Sequence, residues 1–124
     1  MGTFYIKKTP SGAFNFVLLA SNKEKIAVSS QVYTTKSACK KGIESVRTNS
    51  AAEIEDLTVE PIVEVKHPKY QVYQDKAGEY RFRLKARNGE IIAASEGYKS
   101  KASCLNGIDS VKRNAPESPI VKED

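Results

Sequence analysis

The run Tyr80-Arg81-Phe82-Arg83-Leu84-Lys85-Ala86-Arg87-Asn88-Gly89-Glu90-Ile91-Ile92-Ala93-Ala94-Ser95 decides how this chain folds. From Tyr80 to Arg87 it alternates apolar and basic residues with a period of two, which predicts a strand with one dry face and one wet face. Asn88-Gly89 then supplies two residues that tolerate the positive φ of a tight type I′ turn, so the chain reverses there. Ile91 to Ser95 reads as the returning strand. Upstream, Tyr70 to Gln74 makes a preceding strand, joined through the turn Asp75-Lys76-Ala77-Gly78.

The same arrangement occurs earlier in the chain. At an offset of 66, Gly12, Phe16, Leu18, Ala20, Asn22, Glu24, Ile26, Ala27 and Ser29 match Gly78, Phe82, Leu84, Ala86, Asn88, Glu90, Ile92, Ala93 and Ser95. One residue is then lost. At an offset of 65, Tyr33, Lys36, Cys39, Gly42, Ile43, Ser45, Val46 and Asn49 match Tyr98, Lys101, Cys104, Gly107, Ile108, Ser110, Val111 and Asn114. Identities in this order and number establish a duplication. The first copy therefore has strands at Phe4 to Lys8, Phe14 to Ala20 and Ile26 to Ser29.

Each copy closes with a helix. Thr35 and Ser100 are placed to cap its first turn by accepting a bond from a free backbone N–H. Cys39, Ile43 and Val46, like Cys104, Ile108 and Val111, fall at i, i+4 and i+7 and form one apolar stripe. Asn49 and Asn114 suit a left-handed exit. The expected fold is α+β: a tandem duplication of a β-β-β-α unit, with an antiparallel sheet and two helices packed on one face. The boundaries read as repeats at residues 1–49 and 70–114, an acidic joint at 50–69 and an acidic, flexible tail at 115–124.

Charge divides along the same lines. Of the net charge of +5, the copies carry +6 and +4, the joint −3 and the tail −2. Joint and tail read as solvated connectors; the rival reading lays them across the basic copies, in competition with an anionic partner.

Retention in both copies shows what the plan needs. Gly42 and Gly107 stand inside helices, where glycine costs about 1 kcal/mol relative to alanine. Close approach of the helix backbone to the sheet or to the other helix would offset that cost; a ligand touching the helix is the alternative. Asn22 and Asn88 sit at hairpin tips. Tyr33 and Tyr98, just before the helices, read as rings closing the end of the core, or as hydroxyls offered to a ligand. Cys39 and Cys104 lie on the buried stripe and read as packing residues.

Reactive chemistry finds little support. His67, the sole histidine, lies in the joint, so the cysteines have no histidine base beside them in sequence, and two cysteines with one histidine match no metal spacing. Each copy offers one retained carboxylate, Glu24 or Glu90, where acid–base catalysis needs two positioned groups. No Gly-rich phosphate cradle is present. The expectation is a protein without catalytic residues, metal or cofactor. A deep pocket in which Tyr, Ser and Glu side chains of both copies converge would reopen the enzymatic reading.

The second copy has one surface peculiarity. Arg81, Arg83, Lys85 and Arg87 share a strand face at about 7 Å spacing, a ladder that could contact successive phosphates of an anionic macromolecule. The matching first-copy residues are Asn15, Val17, Leu19 and Ser21, so the ladder is no part of the common plan. Val17 and Leu19 need cover from the joint, the other copy or a second molecule, which makes an apolar interaction face the rival reading. That reading corresponds to protein–protein contact or self-association as a weak homodimer.

At 124 residues, with 40% hydrophobic and 28% charged side chains, the chain has the profile of a single small globular domain. No apolar run approaches the roughly 20 residues of a membrane span. The opening residues resemble no secretory leader. With two cysteines there is no disulfide framework, so the expected compartment is the cytoplasm.

Phe16-Val17-Leu18-Leu19-Ala20-Ser21-Asn22 and Phe82-Arg83-Leu84-Lys85-Ala86-Arg87-Asn88-Gly89-Glu90-Ile91-Ile92 are each followed by Ser, Tyr and a helix start. Gly42-Ile43-Glu44-Ser45-Val46 or Asn106-Gly107-Ile108-Asp109-Ser110-Val111 then completes each copy. This pattern, over about ninety residues, resembles the YegP-like family of small bacterial tandem-repeat proteins. The resemblance implies two β-β-β-α units with the sheet on one side and the helices on the other, and no agreed catalytic or binding residues. Two departures stand out: a longer joint, and Lys23 where the family's hairpin tip has glycine.

Overall fold

The alternation at Tyr80–Lys85 forms a strand, and its partners follow in the expected order. The computed structural model describes residues 2–122. The first repeat contributes β1 (Thr3–Lys8), β2 (Phe14–Leu19), β3 (Lys25–Ser29) and α1 (Lys36–Asn49). The second contributes β5 (Lys69–Gln74), β6 (Tyr80–Lys85), β7 (Ile91–Ala94) and α2 (Lys101–Asn114). Thr35 and Ser100 cap the helices as the sequence predicts, accepting bonds from the Ala38 and Ser103 amides.

The duplication is exact down to its irregularities. Both central hairpins slip register at the same place, between Leu18 and Leu19 and between Leu84 and Lys85. The two sheets merge where β3 pairs with β7, through Val28 opposite Ala94 and Ser29 opposite Ala93.

Two further strands correct the reading of joint and tail as connectors. Glu53–Asp56 forms β4 and Ile120–Lys122 forms β8, the latter after a 3-10 turn at Ala115–Glu117. The tail is thus tied down as far as the description extends; residues 123 and 124 lie outside it. β4 follows the first-repeat helix but pairs with β5 of the second repeat, and β8 follows the second-repeat helix but pairs with β1 of the first. The order across the sheet is β4-β5-β6-β7-β3-β2-β1-β8. Both edge pairings are parallel, so the sheet is mixed, and antiparallel only through its six inner strands. Each repeat lends its last strand to the other. This exchange occupies an otherwise open sheet edge and interlocks the halves.

The core forms between one sheet face and the helices. Phe4, Phe16, Leu18, Tyr70, Phe82 and Leu84 meet Ile43, Val46, Ile108 and Val111 in one buried cluster. Both cysteines belong to it, and both are free. Burial pushes each thiol up to about 11, so they are protonated near neutral pH and serve packing.

The helical glycines are explained by a neighbour that spacing alone does not show. A Cβ at Gly42 would lie 2.3 Å from the Tyr33 hydroxyl, and one at Gly107 would lie 2.4 Å from that of Tyr98. Each tyrosine stacks on a core ring, Phe16 at 6.2 Å and Phe82 at 6.4 Å between centroids. Its backbone bridges to β2 or β6, at Phe14 or Tyr80. The close approach is therefore between helix backbone and a tyrosine that closes the core.

The left-handed exit expected at Asn49 and Asn114 does not occur. Both residues end their helices in helical geometry, and the caps Ser50 and Ala115 are right-handed too. Their side chains turn back instead: Asn49 Nδ2 donates to the Ser45 carbonyl at 2.8 Å, and Asn114 Nδ2 to that of Ser110 at 2.8 Å. The retained Ser–Asn pairs thus tie the last residue of each helix back to the preceding turn.

Candidate binding surfaces

With both helices on one face, side chains directed the other way define an open face. The ladder lies there, but its members differ in what holds them. Arg81 Nε donates to Asp75 at 2.7 Å, and this bond is the main cause of the lowered Asp75 pKa. Arg83 Nε donates to Gln71 Oε1 at 2.7 Å, and its guanidinium lies 4.7 Å from the Tyr73 ring centroid. Lys85 closes β6 with no side-chain partner among the described residues. Arg87 lies beyond the strand, exposed at the β6–β7 turn, so three of the four predicted cations share the strand face.

Behind Arg83 runs a buried polar network that sequence reading missed. Gln71 Nε2 donates to Glu55 Oε1 at 2.7 Å. Lys69 Nζ donates to Glu55 Oε2 at 2.8 Å and to the Val65 carbonyl at 2.9 Å. Hydrogen bonds from Lys69, the Val65 amide and Gln71 outweigh the cost of burial and hold the Glu55 carboxyl down at about 2. Asp56 receives Lys101 Nζ at 2.9 Å; against the cost of burial, its bonds from Thr58 and Lys101 lower its pKa. The joint thus spends these two acids inside the molecule.

The apolar patch of the first repeat is smaller than the sequence suggests. Val17 is 4% exposed, enclosed on its own face by the register neighbours Tyr5 and Val28, and Leu19 is half-buried opposite Thr3 and Lys25. Adjacent strands of the same repeat supply cover that the sequence assigns to the joint, the other copy or a second molecule.

A second feature brings the repeats together. A cleft of about 590 Å³ lies between the β2–β3 hairpin tip of the first repeat and α2 of the second. Asn22, Glu24 and Lys25 face it from the hairpin, and Tyr98, Asn106 and Arg113 from the second repeat. Gly107, Ser110 and Asn114, retained in both repeats, line it too. Burial, then Cys104, Glu96 and Glu24, raise the Tyr98 pKa; burial, Cys39 and Glu90 raise that of Tyr33. The first-repeat hairpin tip and Tyr98 of the second repeat thus line one cleft. Tyr, Ser and Glu groups do converge, but Ser110 Oγ is held by Asn114 at 3.1 Å, with no histidine lining the cleft. Among the described residues no three of His, Cys, Asp and Glu come together as a metal cluster. No helix there is long and apolar enough to cross a membrane.

Comparison with known proteins agrees with this architecture. The family model described as a domain of unknown function, DUF1508, matches twice, at residues 10–56 and 75–121. Each match ends on the exchanged strand, β4 or β8. A UPF0339 protein of Stutzerimonas stutzeri is 67% identical over 48 residues, 39% of this chain and 43% of that protein. One from Treponema denticola is 56% identical over 54 residues, 44% of this chain but 93% of its own length. The UPF0339 protein YegP of Yersinia pestis is 35% identical over 123 residues, 99% of this chain and 96% of that one. The solution structure of yegP from E. coli, a protein of unknown function, superimposes with a TM-score of 0.78 at 34% identity, covering 98% of this chain and 92% of that one. With the repeat, the sheet and the whole-length likeness in agreement, the chain belongs to the uncharacterised UPF0339 family, carrying the DUF1508 domain twice.

Proposed function

We propose that this protein is a cytoplasmic binding module rather than an enzyme, and that it takes an anionic macromolecule across the open face of its second repeat. The observation that carries this reading is how the arginines are held. Arg81 and Arg83 each use Nε for a neighbour on the sheet, and Tyr73 supports the Arg83 plane. The terminal nitrogens of Arg83 have no other partner among the described residues. A guanidinium fixed by Nε keeps its outer N–H pair for a phosphate or carboxylate, with less side-chain entropy lost on binding. Lys85 beside it adds an unpaired charge, while Glu55 and Asp56 are occupied internally.

The test is binding of a fluorescent single-stranded oligonucleotide, used as a polyanion probe, over a range of salt concentrations. Each cation in phosphate contact adds about 0.7 to the slope of log K against log salt. Arg83→Gln with Lys85→Gln should flatten that slope by roughly 1.4 and weaken binding at low salt. An unchanged slope in the double variant rejects the reading.

A further inference from the structure

Packing accounts for most of what both repeats retain, but not for the Glu24 and Glu90 carboxylates or the Tyr33 and Tyr98 hydroxyls. Gly107 makes room for the Tyr98 ring, Asn114 holds the last turn of its helix, and the Asn22 side chain accepts the Glu24 amide within the turn. Glu24 and its counterpart Glu90 are exposed carboxylates with no side-chain hydrogen bond or ion pair among the described residues. The Tyr33 and Tyr98 hydroxyls likewise lack a partner there. These retained, uncommitted groups come from opposite repeats, and Glu24 and Tyr98 line the same cleft.

Cations flank this meeting. Lys25 keeps only an exposed contact with Glu96, at 3.4 Å. Arg113 uses Nε for Asp109 at 2.8 Å in another exposed pair, and its terminal nitrogens have no partner among the described residues. Exposed pairs of this kind hold their members weakly.

This combination selects its ligand. A carboxylate accepts two O–H donors, and a neutral phenol beside it both donates and accepts, which suits vicinal hydroxyls. Lys25 and Arg113, each held only by an exposed partner, can turn to an anionic substituent. The volume falls within the range of small-molecule clefts, about 300–1,000 Å³.

We propose that the cleft between the first-repeat hairpin and the second-repeat helix binds a sugar phosphate, with Glu24 and Tyr98 on its hydroxyls and Arg113 and Lys25 on its phosphate. The site includes neither Arg83 nor Lys85, so this inference stands or falls apart from the open-face reading.

Amide NMR titration of the full chain with ribose 5-phosphate tests it, with ribose and inorganic phosphate as separate controls. Saturable shifts are expected at Asn22–Lys25, Tyr98 and Gly107–Ser110. Each control alone should bind at least about tenfold more weakly, the value of one lost hydrogen-bonding anchor. Glu24→Gln at an exposed position and Tyr98→Phe, which keeps the ring that packs on Phe82, should each weaken these shifts about tenfold. Equal response to inorganic phosphate alone, shifts confined to the open face, an absence of saturable shifts, or full affinity in Glu24→Gln would each overturn the proposal.

Discussion

The two repeats agree almost residue for residue on the face that meets the helices and part company on the face that does not. Inward, Phe16 and Leu18 repeat as Phe82 and Leu84; outward, Asn15, Val17 and Leu19 become Arg81, Arg83 and Lys85. The divergence continues to the edges. Glu55 of β4 stands beside Gln71, whereas Val121 of β8 stands beside Tyr5, the residue that corresponds to Gln71. Packing against a helix constrains volume and shape at every inward position, so a duplicated unit retains those residues. Outward positions answer only to their neighbours on the sheet, and there each half found its own solution: an apolar cluster in one, a buried ion pair in the other.

Breaking that ion pair should produce the largest effect. Glu55 and Lys69 are 3% and 7% exposed, and removing one partner of such a pair leaves a buried charge without compensation. Glu55→Ala should cost about 3–5 kcal/mol, read as a lowered urea midpoint. Val121→Ala, at the corresponding edge position, is 40% exposed and should cost under about 1 kcal/mol. The pair also sets a pH signature. The folded Glu55 carboxyl titrates at about 2 and the unfolded one at 4.5. Its contribution is therefore complete above pH 4.5 and is lost as pH falls through about 2. Glu55→Gln should flatten stability across that window, and unfolding curves taken at successive pH values measure it.

How far the sequence carries depends on whether a feature is local. Alternation around Phe82, the Asn88-Gly89 turn, the caps at Thr35 and Ser100 and the cysteine stripes all express interactions within a few residues, and the structure has them where the pattern predicts. β4 and β8 are different. Glu53-Ile54-Glu55-Asp56 is mostly acidic and Ile120-Val121-Lys122 very short; each becomes a strand only because the other repeat presents an edge to it. The cleft, too, has walls distant in the chain, the β2–β3 hairpin and α2, from repeats that join where β3 pairs with β7. Glu24 and Tyr98 were visible as retained residues, but their meeting was not. Gln71, which fixes Arg83 and links it to Glu55, gave no signal, because nothing in its own strand distinguishes it from a solvated glutamine.

An intermediate effect compares the two helix glycines. Alanine would gain about 1 kcal/mol in helix propensity, yet its methyl would meet the tyrosine hydroxyl. Gly42→Ala and Gly107→Ala should each lose about 1–3 kcal/mol net, the usual cost of overpacking. Removing the hydroxyl separates them. Beyond it, the next contact of the new methyl is the Tyr33 ring carbon at 2.7 Å in the first repeat, but ring carbons at 3.0 Å in the second. Tyr98→Phe should therefore rescue Gly107→Ala more fully than Tyr33→Phe rescues Gly42→Ala, as urea midpoints of the two double variants would show.

The smallest difference lies at the hairpin tips, and it runs in the stabilising direction. Lys23 adopts a φ of 69° and its counterpart Gly89 one of 85°, so the same turn is built once with a side chain and once without. A left-handed backbone brings Cβ against the following carbonyl, at roughly 1–2 kcal/mol for an ordinary residue; glycine escapes this but gives up more freedom on folding. The first term exceeds the second by a modest margin, so Lys23→Gly should raise stability by about 0.5–1 kcal/mol. Gly89→Lys should lower it by a similar amount, because a Cβ there would meet only His67, at an ordinary 3.6 Å, leaving conformation as the dominant cost. Equal and opposite shifts in the urea midpoints would show that the two tips are the same structure under different residues. A loss in Lys23→Gly would mean instead that the lysine side chain contributes something the glycine hairpin lacks.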